Sequence, residues 1–330
     1  MPGDKASNGG LMAALSQPFK ASVVQTCTAL SETQRTLEKL TALARDAARG
    51  GAQLVVFPEA FVGGYPKGMQ FGTSLGIRTP EGRDWFHRYF ENAIDVPGPA
   101  AEIMANVARD NRVFLVVGVV ERDGGTLYCT VLFFSPEGQL LGKHRKLMPT
   151  ALERVIWGQG DGSTLPVFDT PLGRLGAVIC WENYMPLLRA AMYAKGIQLY
   201  CAPTVDDRDS WIPTMRHIAC EGRCFVLSAC QFLRRRDCPA DYHGVLANNP
   251  EHVLIRGGSC IVSPFGELIA GPQYGEETIV SAEIDLAEFV RGKFDLDVAG
   301  HYARPDVFQL RVNEAAQRAV TVESLEPSRE

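Results

Sequence analysis

Hydrophobic positions along the chain follow two periods, one typical of strands and one typical of helices. Residues 19–26 alternate and are rich in β-branched side chains, which predicts a first strand. Apolar residues then recur every three to four positions through residues 31–49, which predicts an amphipathic helix with Ser31 as N-cap and Gly50-Gly51 as its stop. The wholly apolar run at residues 54–57 fits a strand that is buried on both faces.

The rest of the chain repeats this alternation, and several strands are joined as hairpins. We predict helices at residues 84–91, 99–110, 186–195, 211–222 and 286–293. We predict strands at residues 113–121, 127–135, 139–146, 165–169, 174–179, 199–202, 224–230, 259–263, 268–270 and 278–284. Mixed sheets with helices on their outer faces are the simplest arrangement of these elements, so the predicted fold is a layered α/β domain.

No repeat, low-complexity tract or linker divides the sequence, so we predict one domain at residues 19–311. Residues 1–18 are predicted as a disordered arm and residues 312–330 as a C-terminal tail. The apolar segment at residues 11–15 is shorter than the ~7–15 residues of a signal-peptide core. No apolar run approaches the ~18 residues that span a bilayer. We therefore expect a soluble, cytoplasmic protein with no membrane partner.

Composition and charge narrow the class of partner. Of all residues, 46% are hydrophobic and 22% are charged, which suits a large globular core. The net charge of −5 comes from 33 basic and 38 acidic residues, so we expect no nucleic acid partner. The nine cysteines are irregularly spaced and form no Cys-x-x-Cys pair, which predicts reduced thiols and no metal site.

Reactive side chains stand at the ends of three predicted strands. They are Glu59, Lys146 and Cys180. In open α/β sheets, ligands gather at the carboxyl ends of strands. A thiol attacks only as thiolate and needs a base or a positive field, which a glutamate and a lysine supply. The lysine ammonium also stabilises negative charge that develops on a substrate nitrogen.

Each of the three residues also has an ordinary structural interpretation. A cysteine at a strand end is most often a small core residue. A glutamate after a proline, such as Glu59 after Pro58, is most often a surface or helix-capping residue. A lysine in Lys143-His-Arg-Lys146 is most often part of a solvated basic face. Spacing alone does not bring the three side chains together in space.

Four motifs resemble, in the same order, those of the nitrilase family in the carbon–nitrogen hydrolase superfamily. They are Pro58-Glu-Ala-Phe61, His144-Arg-Lys-Leu-Met-Pro-Thr150, Glu153-Arg154 followed by Trp157-Gly-Gln-Gly-Asp-Gly162, and Cys180-Trp-Glu-Asn183. Segments at residues 189–196, 201–204 and 300–308 fit as well, so the resemblance covers residues 19–311. Residues 145–231 most resemble plant-type and related microbial nitrilases, including β-cyanoalanine nitrilases.

The resemblance implies a four-layer α-β-β-α sandwich with two mixed sheets and a triad of Glu59, Lys146 and Cys180. Glu59 would be the general base, and Cys180 the nucleophile that forms a thioimidate and then a thioester. Lys146 would support the substrate nitrogen. Glu153 matches a second glutamate of the family and is expected to hold Lys146 and the water. The backbone N–H of Trp181 is a candidate oxyanion donor.

Five side chains are candidates for the substrate pocket. Tyr65 matches a pocket residue of the family, although loop packing explains it equally well, and the others are Trp157, Trp181, Thr204 and Trp211. No cofactor is implied, because the triad would activate water without a metal. The resemblance also implies a homodimer formed through the outer helices, from which nitrilases often build a spiral homo-oligomer.

The activity implied is hydrolysis of an organic nitrile to a carboxylic acid and ammonia. Some amide is released if the carbon–sulfur bond breaks first. The alternatives within the superfamily are an amidase, a carbamoylase, a β-cyanoalanine hydratase or a cyanide-degrading enzyme, and Trp181 after the nucleophile favours the nitrile branch. A catalytically silent scaffold is a further hypothesis, which the intact Glu59, Lys146 and Cys180 disfavour.

Overall fold

The structure is a computed structural model that describes residues 17–242, 249–318 and Val320. Its strands, in chain order, are β1 (Phe19–Gln25), β2 (Ala52–Val56), β3 (Thr73–Ser74), β4 (Ile77–Arg78), β5 (Ile94–Asp95), β6 (Phe114–Asp123), β7 (Thr126–Phe134), β8 (Leu140–Arg145), β9 (Val167–Thr170), β10 (Gly173–Ala177), β11 (Leu199–Cys201), β12 (Phe225–Ser228), β13 (Phe232–Arg234), β14 (Val253–Val262), β15 (Leu268–Tyr274) and β16 (Thr278–Ile284). Its α-helices are α1 (Thr33–Arg49), α2 (Pro80–Asn92), α3 (Pro99–Asn111), α4 (Pro186–Ala194), α5 (Trp211–Gly222) and α6 (Ala287–Asp295).

Two seven-stranded mixed sheets form the centre of the molecule. The first has the order β16-β1-β2-β6-β7-β8, with β5 also paired to β6. The second has the order β13-β14-β12-β11-β10-β9, with β15 paired to β14. Strands β1, β2 and β6 are parallel, as are β10, β11 and β12. The carboxyl ends of the central strands of each sheet therefore lie at one edge, where ligands bind in α/β folds.

Three hydrophobic clusters define the layers. The largest lies between the sheets and includes Leu54 and Val131 of the first sheet and Leu227 of the second. A second cluster, which includes Leu40, joins α1 and α3 to the outer face of the first sheet. A third, which includes Met215, joins α4 and α5 to the outer face of the second. The four-layer α-β-β-α sandwich that the resemblance implied is confirmed.

Differences between predicted and observed elements have local causes. Ser31 is not the N-cap of α1, because its φ of 63° belongs to a turn and Glu32 takes that position. Helix α2 starts earlier than predicted, because the Thr79 side chain accepts the Gly82 N–H at 3.1 Å and so caps it. Strand β14 also starts earlier, since its first residues pair with β13, a short strand that the alternation did not reveal.

The predicted arm at residues 1–18 and tail at residues 312–330 lie largely outside the described residues, so they stay predictions.

All nine cysteines are free thiols. Within the described ranges, no helix is long and apolar enough to cross a membrane. Those ranges also contain no group of three or more His, Cys, Asp or Glu side chains that could hold a metal ion.

Close packing at Gly118 of β6 positions the loop that follows β2. A Cβ atom on Gly118 would overlap the carbonyl oxygen of Pro58 and lie 2.7 Å from Cα of Glu59. The backbone N–H of Val62 donates to the Gly118 carbonyl at 3.1 Å. The loop therefore lies directly on the β6 backbone, which fixes where Glu59 enters the space between the sheets.

We predict that Gly118→Ala destabilises the fold and displaces Glu59, because the added methyl group has no space. Overpacking of this kind costs about 1–3 kcal/mol. Thermal unfolding and activity measure the effect, with Gly125→Ala as the control, because a Cβ atom on Gly125 meets nothing within 4 Å. Equal melting temperatures for the two variants would contradict the prediction.

Candidate active site

Side chains from both sheets meet in the space between them. Glu59 follows β2, Lys146 follows β8 and Cys180 follows β10. The Lys146 Nζ donates to Glu59 Oε1 at 2.6 Å and to Glu153 Oε2 at 2.8 Å. The Cys180 thiol interacts electrostatically with both Glu59 and Lys146. The structure thus brings together the four residues for which the resemblance implied catalytic roles.

Burial and neighbouring charge set the protonation of this cluster. Burial raises the pKa of Glu59 although Lys146 opposes the change. Burial and the Glu59 charge also raise the pKa of Cys180 well above its usual value, again against Lys146. Burial acts to lower the pKa of Lys146, but the surrounding charges, Glu59 above all, outweigh it and hold that pKa well above its usual value. The resting site therefore holds a neutral thiol beside an ammonium and a carboxyl group that is ready to take a proton.

Glu153 is held in place by donors on both of its oxygens. Its Oε2 accepts the Lys146 ammonium and also the Thr150 N–H at 2.7 Å, at the start of the 3₁₀-helix Ala151–Val155. Its Oε1 accepts the Tyr65 hydroxyl at 2.7 Å. The Trp157 ring meets the Tyr65 ring edge-on, with centroids 5.8 Å apart. Glu153 therefore gives Lys146 a second carboxylate partner that is itself held in place.

The nucleophile stands on a strained turn between β10 and a 3₁₀-helix (Cys180–Tyr184). Cys180 has a φ of 49°, in the left-handed region, which costs about 1–3 kcal/mol for a residue other than glycine. Its N–H donates to the Pro203 carbonyl at 2.9 Å, and its carbonyl accepts the Asn183 side-chain amide at 2.7 Å. The Thr204 hydroxyl donates to the Cys180 Sγ at 3.2 Å. These contacts hold the thiol in one direction.

Glu182, two residues after the nucleophile, links the segments that follow β8 and β10. Its carboxylate accepts the Ile179 N–H at 2.9 Å and the Leu147 N–H at 2.5 Å. Those N–H groups belong to the residue before Cys180 and the residue after Lys146. The spacing between the nucleophile and the lysine therefore depends on this one buried side chain.

His144 holds the Glu182 carboxylate in place. Its Nε2 lies 2.9 Å from Glu182 Oε2, and its Nδ1 lies 2.6 Å from the Thr164 carbonyl oxygen. Since both neighbours are acceptors, both ring nitrogens donate and the ring is an imidazolium. Burial acts to lower the pKa of His144, but Glu182 outweighs it and the pKa is raised.

Known proteins of similar sequence identify the family of this chain. The family model described as carbon-nitrogen hydrolase matches residues 20–293. The chain belongs to the carbon-nitrogen hydrolase family. It is 58% identical over 306 residues to a nitrilase of Bradyrhizobium diazoefficiens, covering 93% of this chain and 95% of that one. It is 57% identical over 309 residues to the bifunctional nitrilase/nitrile hydratase NIT4B of Nicotiana tabacum, covering 92% and 89%. The resemblance drawn from the motifs is confirmed.

A solved structure shows the same fold at low identity. The carbon-nitrogen hydrolase from Helicobacter pylori G27 superposes with a TM-score of 0.69 and is 19% identical to this chain. The match covers 85% of this chain and 94% of that one. At this identity the likeness concerns the fold alone.

In the chain described above, which is itself a carbon-nitrogen hydrolase, Cys180 lines a cavity of about 260 Å³. Charged and aromatic side chains form the rim, and Trp181 is 41% exposed there. The Trp181 indole N–H donates to Asp206 at 2.9 Å, and the Arg208 guanidinium lies over the ring, 4.5 Å from its centroid. The lining residues are Tyr65, Lys67, Thr150, Glu153, Cys180, Trp181, Val205, Asp206, Asp207 and Arg208.

An adjoining groove of about 310 Å³ extends the cavity. The two share Tyr65, Lys67, Thr150 and Glu153. Beyond those residues the groove is mostly apolar, and its walls include Met69, Phe71, Leu152, Val155 and Ile156. The site therefore offers a charged rim on one side and an apolar channel on the other.

The five predicted pocket residues separate into two groups. Tyr65 and Trp181 line the cavity. Thr204 is fully buried and contacts the nucleophile instead. Trp157 is buried behind Tyr65 and donates to the Tyr89 hydroxyl at 3.2 Å. Trp211 lies on the buried face of α5 and donates to Ser228 at 2.9 Å, because the helical period that places it in the core turns it away from the cavity.

Sequence reasoning missed several residues that shape the site. The Gln231 side-chain amide donates to the Glu59 carbonyl at 2.8 Å, and no motif marked it. The rim residues Asp206 and Arg208 follow the end of β11, so a charged run directly after a buried strand was the available signal. Glu182 stands three residues after Ile179, the spacing of a capping carboxylate, which could have indicated its support of the turn.

We predict that Glu182→Gln lowers both stability and turnover, because an amide offers one acceptor where the carboxylate serves two backbone N–H groups and His144. Removing one partner of a buried ion pair costs about 3–5 kcal/mol. Denaturant unfolding and kcat are the measurements. The control is Glu221→Gln, which weakens the partly buried pair with Arg189 on the outer helices. Wild-type kcat and stability in Glu182→Gln would contradict the role given to this residue.

Proposed function

We propose that the protein is a nitrilase that hydrolyses organic nitriles to carboxylic acids and ammonia through covalent adducts on Cys180. The observation that carries the proposal is a buried thiol, Cys180, that interacts electrostatically with a Glu59–Lys146 pair whose nearest atoms are 2.6 Å apart. The relatives whose names include nitrilase support a nitrile as the electrophile. The overall reaction consumes two waters for each nitrile.

The first step joins the thiol to the nitrile carbon. Glu59 takes the thiol proton as the Cys180 Sγ forms the carbon–sulfur bond. Negative charge that develops on the nitrile nitrogen is stabilised by Lys146, which gives it a proton, and the product is a thioimidate. Lys146 then regains a proton from Glu59, its hydrogen-bonded neighbour, which restores the ammonium and the carboxylate.

Water completes the reaction in two further additions. The first gives a tetrahedral intermediate, from which ammonia leaves and a thioester remains. The second water releases the carboxylic acid and restores the thiol. Glu153 contacts Lys146 and lines the cavity, which supports a role in holding the water, and the Trp181 N–H is the proposed oxyanion donor.

Amide release is the competing outcome. If the carbon–sulfur bond of the tetrahedral intermediate breaks before the carbon–nitrogen bond, the product is an amide and no ammonia forms. The relative named a bifunctional nitrilase/nitrile hydratase supports this second product. Tyr65 and Trp181 border the cavity in which the rest of the nitrile would lie.

We also propose a homo-oligomer in the cytoplasm. Large apolar side chains are exposed on α4 and near the C-terminal part of the chain, among them Leu187, Phe294 and Phe308, at 70%, 87% and 78% exposure. Exposed apolar surface of this kind favours association. Nine free thiols suit a reducing compartment. Sedimentation velocity measures the assembly, and a monomer at all concentrations would contradict it.

The activity is tested with a panel of aliphatic, arylacetic, aromatic and β-cyano amino-acid nitriles, together with cyanide and simple amides. We expect ammonia and acid from nitriles, and at least a 10³-fold loss in Cys180→Ala, because residues of a catalytic unit fail together. The matched control is Cys220→Ala, a half-exposed cysteine of α5. Turnover of amides but not nitriles would contradict the substrate class, and equal turnover by Cys180→Ala would contradict the mechanism.

The pH profile tests the role of Glu59. A general base works only when deprotonated, and burial raises the pKa of this carboxyl from the usual 4.5. Activity should therefore fall as the pH drops through a value above 4.5, while the protein stays folded. The measurement is kcat/KM against pH, with circular dichroism at each point. A profile that stays flat below pH 4.5 would exclude Glu59 as the base.

A further inference from the structure

A second thiol lies within the catalytic cluster. Cys129 of β7 is 1% exposed, and its Sγ lies 3.6 Å from Glu59 Oε1, within range of a sulfur hydrogen bond. Its backbone carbonyl accepts the Lys146 N–H at 2.8 Å. The reaction steps described above make no use of this residue. Its place beside both Glu59 and Lys146 nonetheless gives it a direct influence on the base.

The strand pattern shows why a cysteine at this position is unusual. Inward-facing residues of β7 pack between the sheets, and the others in the row are Leu127, Val131 and Phe133. A larger apolar side chain at position 129 would press methyl groups against the Glu59 carboxylate. Cysteine is small enough to leave room for the carboxylate, and unlike alanine it carries a hydrogen-bond donor.

The hydrogen bonds divide the two oxygens of Glu59 into different roles. Oε1 receives the Lys146 ammonium and the Cys129 thiol. Among the described residues, Oε2 receives a backbone N–H, that of Val205, at 3.2 Å. Since a carboxylate only accepts, Cys129 is the donor in its contact. Burial and the Glu59 charge raise the pKa of Cys129 well above its usual value, so the donor proton stays on sulfur.

We propose that Cys129 is a positioning residue of this reaction: its S–H occupies Oε1 of Glu59 and leaves Oε2 as the oxygen that receives the proton of Cys180. The inference rests on the proposed nitrilase activity, because it concerns the base of that reaction. A donor on Oε1 also stabilises the carboxylate form. Changing the donor at position 129 should therefore change the pH at which the base becomes protonated.

Other charged or titratable groups face Glu59 from each element around it. They are Lys146 after β8, Glu153 in the 3₁₀-helix, Cys180 after β10 and Tyr65 in the loop after β2. A substitution at Cys129 leaves all of these side chains in place. A shift of the pH profile in such a variant therefore reports the change in the donor.

The test compares Cys129→Ala, which removes the donor, with Cys129→Ser, whose hydroxyl is a stronger donor. The acidic limb of kcat/KM should move about 0.5–1 pH unit upward in Cys129→Ala and a similar amount downward in Cys129→Ser. The control is Cys260→Ala, another buried cysteine, whose pKa is raised by burial alone, without a neighbouring charge. This control should keep the wild-type profile.

A second readout does not need turnover. Alkylation of Cys180 by iodoacetamide is followed by mass spectrometry of its peptide as a function of pH, and its midpoint should shift in the same two directions. Wild-type midpoints in both variants, or shifts of both in one direction, would overturn the inference. If the wild type hydrolyses no nitrile while the alkylation midpoints shift oppositely, the proposed function fails and the positioning role of Cys129 stands.

Discussion

A buried ammonium needs carboxylates beside it to offset its lost hydration, and this requirement organises the centre of the molecule. Lys146 is fully buried, and the nearest carboxylate oxygens of Glu59 and Glu153 lie 2.6 Å and 2.8 Å from its Nζ. Without them the buried charge would cost several kcal/mol. The partners come from the end of β2 and from the 3₁₀-helix after β8. The positions of both segments therefore depend on the Lys146 ammonium.

The same charges control the reactivity of the thiol. Cys180 lies where burial and Glu59 favour its neutral form and Lys146 favours the thiolate. In the proposed reaction the thiol is therefore unreactive at rest and loses its proton as it bonds to the electrophile. Lys146 would then stabilise charge on the substrate nitrogen, which exists only during that reaction. Interactions that strengthen in the transition state raise kcat, whereas uniform binding does not.

Two strained backbone positions lie beside the reacting groups. Cys180 and Ala60, the residue after Glu59, have φ angles of 49° and 46°. Such conformations persist only when the surroundings over-determine them. At Cys180 the supports are the Asn183 amide and the Pro203 carbonyl, and beneath them lies the buried pair of Glu182 and His144. The fixed direction of the thiol therefore depends on hydrogen bonds from several elements.

Local sequence determined the layered α/β fold, because strand and helix periods are written in neighbouring residues. Runs such as residues 54–57 show burial on both faces directly. The order of motifs also determined the family, and with it the expectation that Glu59, Lys146, Glu153 and Cys180 act together. Their spacing in the chain could not place them together. Glu59, Lys146 and Glu153 meet when the first sheet forms, and Cys180 joins them only when the second sheet packs on the first.

Tertiary structure alone decided which aromatic and polar residues serve the site. Trp181 lies at the cavity rim, whereas Trp211 packs in the core, although both follow buried strands in sequence. By sequence, Cys129 is one more apolar residue of β7, and only the packing of the loop after β2 on Gly118 brings Glu59 beside it. A residue's position in the strand or helix period fixes the face on which its side chain lies. The residues that the side chain contacts there depend on how distant segments pack.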